Sequence, residues 1–302
     1  MKDMIIIGAG PAGLSAAVYG LRAGLDLEIL ESSYMGGGQV LSTYEVDNYL
    51  GLPHSNGFDM GMIFQKHVAD MGKEPVCCDV TGIEKSKEGF RITTDQGVME
   101  SKTLILASGA VNRKLEVPGE EELGGKGVSY CATCDGALYR GQTVAVVGGS
   151  YAAVEDAIYL AGLCEKVYLI HRRDSLRAGA VLEERLKALA NVKILWNTLP
   201  VEILGKDEVE RFRVRNKLSG EESFLDVQGV FVAVGTVPNT FLVQGLAQLD
   251  EQGYIVAGED CATSVPGLFA AGDLRTKKLR QIITAVADGA NAATSAWEYL
   301  QG

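Results

Sequence analysis

The sequence predicts an α/β protein of two similar parallel-sheet domains, the second inserted into the first. Three observations predict it. The chain has 302 residues, more than one hydrophobic core usually holds. Apolar residues make up 47%, and 37 glycines are spread along the chain instead of clustering, which suits many tight strand-to-helix turns. The third observation is a repeat: strand, glycine turn, helix, strand, meander and returning strand occur in that order twice.

In the first copy, residues 4–7 read as a short buried strand, followed by Gly8-Ala9-Gly10-Pro11-Ala12-Gly13. An apolar-periodic helix then runs to about Arg22, and a second strand ends at Glu31. Residues 75–99 alternate as a β-meander with a turn at Asp95-Gln96-Gly97, and residues 103–107 return as a buried strand. In the second copy, residues 143–147 lead into Gly148-Gly149-Ser150-Tyr151-Ala152-Ala153. A helix to about Leu163 and a strand over 167–170 follow, ending at His171. Residues 209–224 form its meander and 229–235 its returning strand. After Asn239 the chain is rich in turns and closes with a helix near 282–300. Each opening is the βαβ start of a dinucleotide-binding fold, whose helix N-terminus receives a pyrophosphate.

Charge and cysteine usage narrow the function. The net charge of -11 argues against non-specific nucleic-acid binding and against an anionic membrane surface. No apolar run approaches a membrane span. The opening apolar stretch, 5–7, is far shorter than a signal-peptide core. Six cysteines in a long chain without a secretion signal indicate a reducing, cytoplasmic setting.

The strand ends after the two turns differ. Glu31 lies 18 residues beyond Gly13, and His171 lies 18 beyond Ala153. An acid at that place accepts hydrogen bonds from a free ribose 2′-hydroxyl. The first site therefore suits a non-phosphorylated dinucleotide such as FAD or NAD. The second site instead begins the run His171-Arg172-Arg173-Asp174-Ser175-Leu176-Arg177, whose guanidinium groups suit the 2′-phosphate of NADP. One departure stands in this second turn. Ser150 occupies the place of the fingerprint's second glycine, and the bulky Tyr151 follows it. The serine is either tolerated or donates its hydroxyl to phosphate.

Cys131-Ala132-Thr133-Cys134-Asp135 begins 12 residues before Thr143. The spacing suits a redox disulfide at a helix N-terminus, which lowers a thiol pKa. A structural zinc site needs four ligands, and neither a second Cys-x-x-Cys nor a histidine cluster is present; no metal is expected. Cys77-Cys78 reads as a strand pair with one thiol in the core and one half-exposed. Cys164 and Cys261 read as small core residues.

The ordered set of motifs resembles the low-molecular-weight, bacterial-type thioredoxin reductases of the class II pyridine nucleotide-disulfide oxidoreductases. It consists of the first glycine turn, Gly36-Gly37-Gly38-Gln39, Glu45-Val46-Asp47-Asn48-Tyr49, Ala107-Ser108-Gly109-Ala110 and the cysteine motif. His171-Arg172-Arg173-x-x-x-Arg177, Gly235-x-x-Pro238-Asn239 and the stretch from Thr263 to Gly272-Asp273 complete it. The resemblance covers essentially the whole chain.

It implies two Rossmann-like domains of the three-layer ββα type. An FAD domain would comprise 1–113 and 241–302, with an NADPH domain, 114–240, inserted and carrying the cysteines. The implied FAD residues are Gly8, Gly10, Pro11, Ala12, Gly13, Glu31, Gly38, Gln39, Asn48, Val80, Gly272, Asp273, Arg280 and Gln281. Those for NADPH are Gly148, Gly149, Ser150, Tyr151, Ala152, His171, Arg172, Arg173 and Arg177. NADPH would reduce FAD, and FAD would reduce Cys131–Cys134. Cys134 would face the flavin, Cys131 would form the mixed disulfide with thioredoxin or a similar protein, and Asp135 would be the acid. A hinge near Lys114 and Pro238-Asn239 would rotate the inserted domain, and the protein would be a homodimer. Neither the extra thioredoxin-like domain of peroxiredoxin reductases nor the redox tail of large thioredoxin reductases is expected.

Two alternatives share the fold: a reductase fed by ferredoxin, and a dithiol oxidase. Neither needs the arginine cluster. A flavoprotein using FAD only as a structural prop would not need the cysteine pair.

Overall fold

A computed structural model describes every residue except Tyr44, Glu45 and Asp47, so the Glu45–Tyr49 motif lies partly outside the described residues. The chain forms two compact units, Met1–Val111 with Val237–Gly302, and Asn112–Thr236. The crossings fall slightly before the expected positions 113 and 240.

The first segment holds β1 (Lys2–Ile7), α1 (Pro11–Arg22), β2 (Leu27–Glu31), α2 (Gly57–Asp70), β3 (Val76–Cys77), β4 (Val80–Lys85), β5 (Phe90–Thr94), β6 (Gly97–Leu106) and β7 (Ala110–Asn112). The second unit holds β8 (Val128–Ser129), α3 (Ala132–Asp135), β9 (Thr143–Gly148), α4 (Tyr151–Ala161), β10 (Lys166–Ile170), α5 (Ala180–Lys187) and β11 (Val192–Leu195). Its remaining strands are β12 (Thr198–Leu204), β13 (Arg211–Asn216), β14 (Glu222–Asp226) and β15 (Gly229–Ala233). The chain returns through β16 (Thr236–Pro238), β17 (Leu268–Ala270) and α6 (Ile282–Gln301).

The two units repeat one topology. In the first, β3-β2-β1-β6-β17 run parallel; in the second, β11-β10-β9-β15-β8 do. The meanders differ. In the second unit, β12-β13-β14 form a separate antiparallel sheet. In the first, the meander's third strand and the returning strand are one ten-residue strand, β6. Its first half pairs antiparallel with β5, and its second half pairs parallel with β1 and β17. From the sequence pattern these pieces read as separate strands. The second meander reads as starting at 209, whereas β12 begins at Thr198.

Strand alternation explains the layers, because successive side chains point to opposite faces. Met4 and Ile6 pack with Leu14, Ala16, Ala292 and Ala296 from α1 and α6. Ile5 and Ile7 pack on the other face with Leu104, Leu106, Ile255 and Leu274. In the second unit, Val144 and Val146 meet Val154, Ala157 and Leu160 of α4, while Ala145 and Val147 meet Phe212 and Val214 of the meander. Full burial of one such side chain is worth about 1.5–3 kcal/mol. α1 and α6 pack tightly at Gly289, where a Cβ would lie 2.0 Å from the Ala12 carbonyl oxygen. Among the described residues, no helix is long and apolar enough to cross a membrane.

Candidate functional site

The first glycine turn lines a cleft of about 560 Å³ within the first unit. Gly8 has φ +106°, and a Cβ on it would lie 2.4 Å from the carbonyl oxygen of Ala107, the residue after β6. A Cβ on Gly13 would lie 1.8 Å from the Gly8 carbonyl oxygen. Gly10 caps α1 and Pro11 follows at the first helical position, where a missing N–H costs nothing. Glu31 accepts the Ala9 N–H at 2.7 Å and the Ser33 N–H at 2.9 Å. Oε1 also takes the Ser32 hydroxyl at 3.4 Å, while Oε2, which accepts the Ala9 N–H, keeps a lone pair for a ligand hydroxyl.

Eleven of the residues expected at the flavin line this cleft: Gly8, Gly10, Pro11, Ala12, Glu31, Gly38, Gln39, Val80, Gly272, Asp273 and Gln281. Three stand off its wall. Gly13 gives the turn its room. Asn48 donates to the Gln281 side-chain oxygen at 2.9 Å. Arg280 donates through Nε to the Asp273 carbonyl at 3.2 Å and lies over the Tyr254 ring at 4.0 Å. Gly38, at φ +65°, backs onto Gly10, and Gln39 donates to the Ala110 carbonyl.

Asp273 Oδ1 is buried and has no hydrogen-bond partner among the described residues. Burial raises its carboxyl pKa, against the pull of Lys277 and Arg280. A buried acceptor left unmade costs about 1–3 kcal/mol, so this atom is fitted to a ligand hydroxyl or amide donor. Together with the helix N-terminus of α1, it makes the cleft a fit for a flavin dinucleotide.

Sequence reasoning missed several supports of the cleft. Ser108 and Asn239 clasp each other: Ser108 Oγ donates to the Asn239 carbonyl at 2.7 Å, and Asn239 Nδ2 to the Ser108 carbonyl at 2.8 Å. Asp288, in the middle of α6, accepts the Gly272 N–H at 2.9 Å and also binds Arg275 and Lys277. A carboxylate inside a run of alanines and glycines was the available signal for it. Cys78 lines the cleft and is buried while Cys77 is exposed, as expected of the pair. Cys164 and Cys261 are buried; burial pushes their thiols up to about 11 and about 12.

The second glycine turn is held differently. A Cβ on Gly148 would lie 2.5 Å from the Ala153 Cβ, and one on Gly149 would lie 2.0 Å from the His171 ring. His171 is 6% exposed, rests edge-on to Trp196 and places Nε2 3.0 Å from the Ser175 carbonyl oxygen. Burial lowers its pKa. Its ring thus packs the loop against the turn, and the Arg177 N–H completes the closure by donating to the Gly149 carbonyl at 2.8 Å. Arg172, Arg173 and Arg177 are exposed, as is Ala152. Ser150 caps α4, accepting the Ala153 N–H at 3.5 Å. Glu155, one turn further along α4, raises the pKa of the Tyr151 hydroxyl.

Cys131 and Cys134 form a disulfide with Cα atoms 5.3 Å apart. Cys131 caps the short helix α3, and its sulfur accepts the Cys134 N–H at 3.2 Å. Asp135 accepts from the Ser129 hydroxyl at 2.6 Å. Tyr130 donates to Glu120, a buried carboxylate that also accepts the Leu115 and Glu116 N–H groups. Burial and then Glu120 raise the Tyr130 hydroxyl. Tyr139 is pushed up to about 12 by burial and then by the Asp135 charge. Neither Ser129 nor Glu120 carried a sequence signal.

Residues 2–289 match the family described as pyridine nucleotide-disulphide oxidoreductase. The chain belongs to that family. A Listeria innocua thioredoxin reductase is 42% identical over 99% of this chain and 94% of its own. The crystal structure of thioredoxin reductase from Streptococcus pyogenes superposes with a TM-score of 0.94 at 41% identity, covering 100% of this chain and 98% of the other. A ferredoxin-flavin thioredoxin reductase from Clostridium acetobutylicum matches with a TM-score of 0.54 at 32% identity, over 99% and 98%. Membership of this oxidoreductase family implies a flavin and a nicotinamide cofactor, and the two glycine turns give each unit one dinucleotide-binding architecture.

Proposed function

We propose that the protein is an NADPH-dependent thioredoxin-disulfide reductase that uses FAD. The observation that carries this reading is the Cys131–Cys134 disulfide in the same unit as a nucleotide turn bordered by three exposed arginines. The first-unit cleft would hold FAD, with Glu31 on a ribose and Asp273 on the ribityl or pyrophosphate region. The second turn would hold NADPH, with Arg172, Arg173 and Arg177 on its 2′-phosphate. Bound in the first-unit cleft, FAD would supply two-electron chemistry between the nicotinamide and the disulfide. Cys134 is the sulfur on the flavin side, Cys131 exchanges with thioredoxin, and Asp135 supplies the proton to the leaving sulfur. A cytoplasmic homodimer is the assembly this reading carries, checked by light scattering of the purified protein.

The test is anaerobic bleaching of the bound flavin. NADPH is expected to bleach it far faster than NADH, since each charge-assisted contact to the 2′-phosphate contributes roughly 1.5–3 kcal/mol. Equal rates with both would remove the arginine assignment, and no bleaching with either would favour ferredoxin as donor. In a second experiment, Cys131→Ser should leave the Cys134 thiolate against oxidised flavin and give a long-wavelength charge-transfer band. Cys134→Ser should give none yet still trap thioredoxin as a mixed disulfide. A band in Cys134→Ser alone would exchange the two roles.

A further inference from the structure

The cysteine-bearing unit contains a buried hydroxyl that the assignment of nucleotides and sulfurs leaves unexplained. Ser129 ends β8, the edge strand, where it is registered against Phe231 of β15, and it is only 5% exposed. A serine hydroxyl has one proton and two lone pairs. The proton is directed to Asp135 Oδ2 at 2.6 Å; the Cys131 carbonyl oxygen is more distant, at 3.3 Å. On its acceptor side, Ser129 Oγ takes the Cys131 N–H at 3.1 Å. One side chain on a sheet strand therefore fixes both the backbone of the first cysteine and the carboxyl of the residue after the second.

We propose that Ser129 is a positioning residue for disulfide reduction: it orients the Asp135 carboxyl and stabilises the carboxylate that forms when Asp135 gives up its proton. The proposal rests on the reading of Asp135 as the acid. In the step, the S–S bond is opened by an electron pair that ends on one sulfur as a thiolate. The other sulfur leaves with the bonding pair, the O–H bond of Asp135 breaks, and an S–H bond forms on that leaving sulfur. The negative charge ends on Asp135, where the Ser129 O–H already points. A hydrogen bond to an ionised acceptor is stronger than one to a neutral acid, so the contact strengthens as the proton departs.

Asp135 is not the only ionisable group in this neighbourhood. Its own helix carries the cysteine pair, and the following turn carries Tyr139, which feels its charge. α4, packed on α3, carries Glu155, Asp156 and Tyr159. Burial, then Glu155, pushes the Asp156 carboxyl up to about 6, so its titration has to be separated from that of Asp135.

The experiment is the pH profile of thioredoxin reduction by the holoenzyme and its Ser129→Ala variant. An acid works while protonated, so the rate falls as pH rises through its pKa. Loss of the Ser129 donor destabilises the carboxylate and raises that pKa. The descending alkaline limb should move up by about one pH unit, and maximal kcat should fall about tenfold. KM for NADPH and thioredoxin should stay within about twofold. Ser129→Thr keeps the hydroxyl and should restore both limb and rate. Asp156→Asn should leave the limb in place. A readout without turnover is the Asp135 carboxyl titration followed by NMR in 13C-aspartate-labelled protein, with Asp135→Asn as the assignment; it should also move up in Ser129→Ala. An unmoved titration, or a uniform loss at every pH that threonine does not restore, overturns the proposal. If Asp135→Asn retains the alkaline limb, the acid reading itself falls. If that variant loses the limb while Ser129→Ala leaves it unmoved, only the Ser129 proposal falls. Should the threonine methyl not be accommodated, the carboxyl titration of Ser129→Ala decides alone.

Discussion

The two glycine turns solve one packing problem with their glycines in different places. In the first, Gly8 takes φ +106° and its carbonyl occupies the space a side chain on Gly13 would need. In the second, Gly148 stays out of the positive-φ region, and the fully buried Ala153 Cβ fills the space where a Gly148 side chain would lie. The strand-end residue steadies the second turn position in both units, by different means. Glu31 accepts the Ala9 N–H, whereas the His171 ring lies directly on Gly149. The glycine fingerprint is thus a requirement for room between turn and helix, and either partner can provide it.

Gly13→Ala should break the comparison most strongly. Its Cβ meets backbone at 1.8 Å, so α1 has to move from the turn, at a cost of roughly 3 kcal/mol or more. The variant should purify with little flavin and a lowered urea midpoint. The matching change in the other turn, Ala153→Gly, should cost only about 1 kcal/mol. Similar losses in both would mean that the turns are packed alike.

A smaller effect is expected from Gly149→Ala. Its Cβ displaces the His171 ring, and the arginine loop moves with it. KM for NADPH should rise roughly tenfold, about 1.4 kcal/mol, while flavin content stays normal. Ala9→Gly, at the equivalent place in the first turn, should have no comparable effect on flavin retention, because Glu31 holds the backbone N–H and not the side chain. An unchanged KM in Gly149→Ala would show that His171 does not set the loop's position.

The smallest effect concerns Ser150. It caps α4, and glycine at a cap costs only a few tenths of a kcal/mol relative to serine. Ser150→Gly should therefore alter NADPH affinity by less than about threefold, read by nucleotide titration with flavin fluorescence. A loss of tenfold or more would mean that the hydroxyl donates to phosphate.

What was legible in the sequence was whatever repeats with a period or sits at a fixed offset. The strands around both turns, α1, α4 and α6 announced themselves by alternation or helical periodicity, and most of the expected flavin residues do line one cleft. What escaped was carried by single residues or very short elements. β8 has two residues, too few to alternate, yet it fixes Ser129. Asp288 and the Ser108–Asn239 clasp join residues from different elements, and Glu120 gathers its partners from an irregular loop; a lone polar residue gives no hint of either. α2 did carry a signal: its buried face, Met60, Gly61 and Val68, and the Asn56 cap on the Asp59 N–H are a regular helix start. The glycines and histidine within it obscured that pattern.

The discontinuous first unit has a consequence for biosynthesis. Its parallel sheet is completed by β17, and the helix that packs on α1 at Gly289 is α6, so the flavin cleft needs residues made last. The second unit is complete at Thr236. Domains generally fold in order of emergence from the ribosome, at about 5–20 residues per second; here the inserted unit is finished first, and the unit that begins the chain waits several seconds longer. Ribosome-stalled chains ending near residue 270 should resist protease across the inserted unit while β1 and α1 remain open to cleavage, and only chains that expose α6 should take up flavin.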